Sequence, residues 1–105
     1  MGTFTFETLD AYKVALDAAR RVRAMSFGMG RTHLRDQAQR AADSVVLNIA
    51  EGNMLRGANR KKHYRIALGS AGEVAAALDL LDTPRAAEIK ELYRRIGAML
   101  PRLAG

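Results

Sequence analysis

Residues 37–52 read QAQRAADSVVLNIAEG, and this stretch decides the fold. Ala38, Ala41, Val45 and Ile49 recur at intervals of three and four, the spacing that lines one face of an α-helix. Beside them Gln37, Arg40, Ser44, Asn48 and Glu51 keep the same interval, so a polar stripe borders the apolar one. The apolar side is small in its first half (Ala38, Ala41, Ala42), which lets a neighbouring helix come close. Thr32 is the predicted N-cap. No capping box forms there, since Arg35 stands where an acid would be needed. Gly52 is the predicted stop, followed by a connection over residues 53–57.

Working outward, three more segments carry a helical period. After an extended lead, TFTF, a first helix is predicted from an N-cap at Thr8 to about Met25, with Leu9, Tyr12, Leu16, Ala19, Val22 and Arg23 on one stripe. The glycines of Ser26-Phe27-Gly28-Met29-Gly30 break it. A third helix is predicted from Ala58 or Asn59 to Leu81, striped by Tyr64, Ala67 or Leu68, Ala71, Val74 or Ala75, Leu78 and Leu81. Gly69 and Gly72 fall inside it and are read as close-contact points between helices. Thr83 is the next N-cap, with Pro84 at the first helical position. The last helix carries Ile89, Leu92 or Tyr93, Ile96, Met99, Leu100 and Leu103, with Pro101 as a predicted end or kink.

Four amphipathic helices on short loops, in 105 residues with 49% hydrophobic content, predict one all-α domain over 1–105. The architecture expected is an antiparallel up-down-up-down four-helix bundle. Cysteine is absent, which excludes disulfides, thiolate metal sites and cysteine nucleophiles. No apolar run reaches the ~18 residues of a membrane span, and no leader pattern opens the chain. A soluble, cytoplasmic protein with no membrane partner is expected.

Charge supplies the functional lead. Seventeen basic residues stand against eleven acidic ones, for a net charge of +6, and an excess of this kind points to a polyanion. It is concentrated in residues 56–65, RGANRKKHYR, where Arg56, Arg60, Lys61, Lys62 and Arg65 occur with no acid. These five are the candidate nucleic-acid-binding residues. They fall at the start of a helix, whose free N–H groups suit phosphate. Tyr64 is the one aromatic there, so binding would be led by the backbone of the nucleic acid, be salt-sensitive and read little sequence. The polar stripe of the second helix, with Ser70 and Glu73 opposite it on the third, reads either as hydrogen bonds between helices or as a pore or subunit surface.

Enzymatic constellations are thin. His33 and His63 lie in different segments without metal-ligand spacing, and no metal or cofactor site is expected. Arg56 and His63, with six residues between them, loosely resemble the Arg-x4–6-His motif of HEPN-type ribonucleases, with Gly57 where that family usually has a polar residue. A ribonuclease is therefore the weakest of three readings, and the chain is expected not to be an enzyme. The middle reading is a protein–protein interaction module, built on the small residues Ala38, Ala41, Gly69 and Gly72. Phe4, Phe6, Met25 and Phe27 are expected to meet another subunit.

Gln37, Arg40, Ala41, Ala42, Ser44 and the run Asn48-Ile49-Ala50-Glu51-Gly52, followed by residues 67–71, ALGSA, and Glu73, resemble one bacterial family. Its members are four-helix bundles encoded within intervening sequences of 23S ribosomal RNA genes. Nearly the whole chain takes part, including the Phe4, Phe6, Leu9 lead and the basic linker, Arg56 to Lys62. Val46 departs from it, standing where many relatives have proline. The resemblance implies a ring-shaped homo-oligomer, commonly a pentamer. It also implies kinship with the accessory variability protein of diversity-generating retroelements, a basic bundle that binds nucleic acid and a reverse transcriptase. It supplies no catalytic activity. Gln37, Arg40, Ser44, Asn48, Glu51, Gly52, Ser70 and Glu73 carry over as structural or interface residues.

Overall fold

A computed structural model describes residues 2–104. Helices α1 (Asp10–Ala24), α2 (Thr32–Met54), α3 (Gly57–Leu81) and α4 (Pro84–Ala104) follow a single 3-10 turn at Thr5–Thr8. Each helix packs on two others: α1 on α2 and α4, and α3 on α2 and α4, while neither diagonal pair brings Cα atoms within 8 Å of each other among the described residues. This is the square of an up-down-up-down four-helix bundle, and α2 against α3 is its most extensive seam.

The core is aliphatic and uneven. Ala11, Ala15 and Ala18 of α1 and Ala38, Ala41 and Ala42 of α2 are all buried, so both helices present small side chains to the core. Ile49, Leu78, Ile89, Ile96 and Leu100 fill the rest. On α1 the buried seam runs through those alanines, while Arg23 leaves the predicted stripe to pair with Asp43 at 2.8 Å. Apart from the tyrosines Tyr64 and Tyr93, no polar or charged residue among those described is buried.

Several local expectations change. Thr5–Thr8 coils where an extended lead was predicted, and Thr5 Oγ1 donates to Asn53 Oδ1 at 2.6 Å, pinning the lead to the end of α2. Thr8 donates to Thr5 O and does not cap α1, whose N-cap is Leu9. Arg31 takes the N-cap of α2, one residue before Thr32, without a side-chain cap bond. Phe27 does not await another subunit: at 6% exposure it closes the α1–α2 corner of its own core. Met25 and Phe6 are half-buried, Phe6 lying edge-on to Tyr12 at 4.8 Å, and Phe4 alone of the four is exposed. Pro101 does not end α4, which continues to Ala104. Thr83 caps α4 as expected, its Oγ1 accepting the Ala86 N–H at 3.1 Å.

The two in-helix glycines of α3 are also placed differently from expectation. Both are exposed, and a Cβ on Gly69 or Gly72 would find no atom within 4 Å. The small-residue surface read from the sequence therefore divides: Ala38 and Ala41 are inside the bundle, Gly69 and Gly72 outside it.

Candidate nucleic-acid interface

The connection between α2 and α3 is only Leu55 and Arg56, and its tightness begins at Gly52. Gly52 was expected to stop α2, yet the helix runs two residues further, to Met54. The glycine answers a packing need: a Cβ there would lie 2.7 Å from Tyr64 Cε1 and 2.8 Å from Cδ1. Tyr64, 2% exposed, lays its ring on bare backbone and locks the start of α3 against the end of α2.

Arg60 completes the corner. Its Nε donates to Gly52 O at 3.1 Å and to Leu55 O at 2.9 Å, and Nη2 donates to Asn53 O at 2.9 Å. The last carbonyls of a helix lack intrahelical donors, and a cation there also suits the negative end of the helix dipole. Arg60, grouped by sequence with the phosphate-facing cations, thus has its guanidinium directed into its own chain as the C-terminal cap of α2. Arg56 is the N-cap of α3, and Arg56, Lys61, Lys62 and Arg65 are all exposed. None of the four pairs with a carboxylate among the described residues.

Behind this cationic end runs a polar ladder between α2 and α3. The Ser44 and Ser70 hydroxyls share a hydrogen bond at 2.9 Å. Asn48 Nδ2 donates to Ser44 O at 2.9 Å and to Ser44 Oγ at 3.2 Å. Asn48 Oδ1 lies 2.9 Å from His63 Nδ1. A carbonyl can only accept, so the atom of Asn48 facing Ser44 O is its nitrogen; Oδ1 then accepts, and His63 Nδ1 carries a proton. Glu51 Oε2 stands 3.8 Å from the same nitrogen. His63 was paired by sequence only with Arg56; its partner here is Asn48. The signal available in the sequence was the polar stripe itself, which needed a donor on the facing helix.

Of the remaining predicted site residues, Gln37, Arg40 and Glu73 are exposed and join no hydrogen bond or ion pair among the described residues, and His33 is likewise exposed. Among the described residues no group of three His, Asp or Glu side chains is placed to hold a metal, and no helix is long and apolar enough to cross a membrane.

The two serines, Asn48, Glu51 and Gly52 that build this seam lie in the strings that carry the family resemblance. The sequence model of the 23S rRNA-intervening sequence proteins matches residues 7–102. The chain belongs to that family. Comparisons with curated proteins and with solved structures gave no match. In this 23S rRNA-intervening sequence protein the recognisable motif is therefore largely a packing device. Gly52 admits Tyr64, and Ser44, Asn48 and Ser70 set the register of α2 on α3.

Proposed function

We propose that this chain is a non-enzymatic, homo-oligomeric bundle that binds nucleic acid, RNA in preference, through phosphate contacts from Arg56, Lys61, Lys62 and Arg65. One observation carries the reading: four exposed cations without carboxylate partners crowd one corner, while the fifth is turned inward as a cap. Like charges held together on a rigid helix repel, and a polyanion relieves that repulsion while releasing its own counterions. The family's tie to 23S rRNA makes RNA the first ligand to test. Phosphate contacts position without reading bases, so little sequence preference is expected.

The test is a salt titration of RNA binding, wild type against Lys61→Gln/Lys62→Gln/Arg65→Gln. Removing one cation from a phosphate makes the slope of log K against log salt shallower by about 0.7–0.9. The triple variant should bind at least tenfold more weakly with a slope shallower by about two. Equal affinity and equal slope would overturn the proposal.

A further inference from the structure

The 3-10 turn at Thr5–Thr8 and the start of α3 are far apart in sequence, and Asn53 brings them together. Its side-chain Oδ1 accepts from Thr5 Oγ1 at 2.6 Å, and its backbone O accepts from Arg60 Nη2 at 2.9 Å. Phe4 is therefore one residue from one partner of Asn53, and Lys61 is one residue from the other. Arg56 follows three positions after Asn53. With consecutive Cα atoms about 3.8 Å apart, Phe4 and Arg56 lie within about 25 Å of each other.

Phe4 is anchored. Its ring stacks on Phe6 with centroids 5.4 Å apart and planes 15° from parallel, and Phe6 in turn meets Tyr12 of α1 edge-on. The three rings make a chain rooted on the bundle, and its outermost member is 57% exposed. Met54, 52% exposed, adjoins the same lead, its Sδ 3.9 Å from Thr5 Oγ1. Residues 2–8, GTFTFET, hold one acid, Glu7, and no cation, so the lead has no charge to offer a phosphate. What it offers is an aromatic face, set beside exposed cations that have no carboxylate partner among the described residues. An aromatic ring next to a cationic track is the combination that holds single-stranded nucleic acid, the ring taking a base and the cations its backbone.

We propose that Phe4 is a stacking platform for an unpaired base, and that the ligand of this corner is single-stranded RNA whose phosphates run along Arg56, Lys61 and Lys62. This rests on the phosphate-binding reading above and narrows its ligand from RNA at large to unpaired RNA. Bases inside a duplex are covered on both faces by their neighbours, so a single strand alone can splay one onto the ring. Every base has such a face, which keeps the site tolerant of sequence. The span from Phe4 to Arg56 is one that a single-strand site of about four to sixteen nucleotides covers.

The chain has no tryptophan, so Phe4→Trp places a single fluorophore on the platform. Its emission should be quenched by an oligouridine of about 12 nucleotides, and far less by a duplex RNA of equal length. Phe4→Leu keeps an apolar side chain against Phe6 and removes the aromatic face. It should bind the oligouridine about fivefold more weakly or worse, as the loss of one base stack implies, with duplex affinity, salt slope and sedimentation mass at wild-type values. An unquenched Phe4→Trp, wild-type oligouridine affinity in Phe4→Leu, or an equal loss on duplex and single strand overturns the platform. So does a changed assembly mass in Phe4→Leu, which would assign the ring to a neighbouring copy. If the platform falls while Lys61→Gln/Lys62→Gln/Arg65→Gln still shows weaker binding and a shallower slope, the phosphate reading stands alone. A wild-type protein that binds neither RNA removes both.

Discussion

Tyr64 sits on Gly52: the ring's Cε1 lies 2.7 Å from the point where any other residue's Cβ would be. Alanine is normally the better helix former by about 1 kcal/mol. At this position the sign inverts, because the ring is buried and has no room to withdraw. Gly52→Ala should destabilise the protein by about 1–3 kcal/mol in urea unfolding, as overpacked cores do.

Arg60 closes the end of α2 through three carbonyls. Arg60→Gln should cost about 1–2 kcal/mol of stability, since it strips charged donors from part-buried acceptors. Its RNA salt slope should match wild type, unlike that of variants at Lys61, Lys62 and Arg65. Thermal melts run beside the salt titration separate the two roles.

The hydrogen bond between Asn48 and His63 links the facing helices, so the two residues should not act independently. Asn48→Ala and His63→Ala should each destabilise by about 1–2 kcal/mol, and the double variant should fall short of their sum by about 0.5–1.5 kcal/mol. Strict additivity in a double-mutant cycle would mean the bond contributes nothing.

Tyr93 Oη is buried without a hydrogen-bond partner, and burial first, then the nearby Asp43 carboxylate, push its ionisation well above the usual tyrosine value near 10. Tyr93→Phe should therefore be neutral or stabilising by up to about 1 kcal/mol at pH 7. Above pH 10 the unfolded chain gives up a proton that the folded chain retains, so wild-type stability falls as pH rises. The phenylalanine variant should lack that part of the decline when urea midpoints are compared at pH 8 and pH 11.

Much of the bundle was legible in the sequence. The stripe Ala38, Ala41, Val45, Ile49 and its counterpart Tyr64, Ala67, Ala71, Val74, Leu78 are buried as their spacing implied. The Thr83-Pro84 start of α4 also formed as read. Periodicity is a property of one helix, and one helix suffices to read it. Gly52, Gly69 and Gly72 were the instructive failures. The first was read as a stop and is a seat for Tyr64; the other two were read as contacts and face outward. What a glycine is for depends on which atoms stand opposite, and those belong to another part of the chain.

The same division holds for the candidate site. Sequence alone established an acid-free cationic run and a polar stripe, because charge and spacing are written residue by residue. Only the folded chain decided that Arg60 turns inward to cap α2, that the Nδ1–H of His63 donates to Asn48, and that Arg56, Lys61, Lys62 and Arg65 stay in solvent. Those outcomes hang on where α2 ends relative to where α3 begins. A two-residue connection fixes that distance, and the orphaned carbonyls at the end of one helix then take the Arg60 guanidinium.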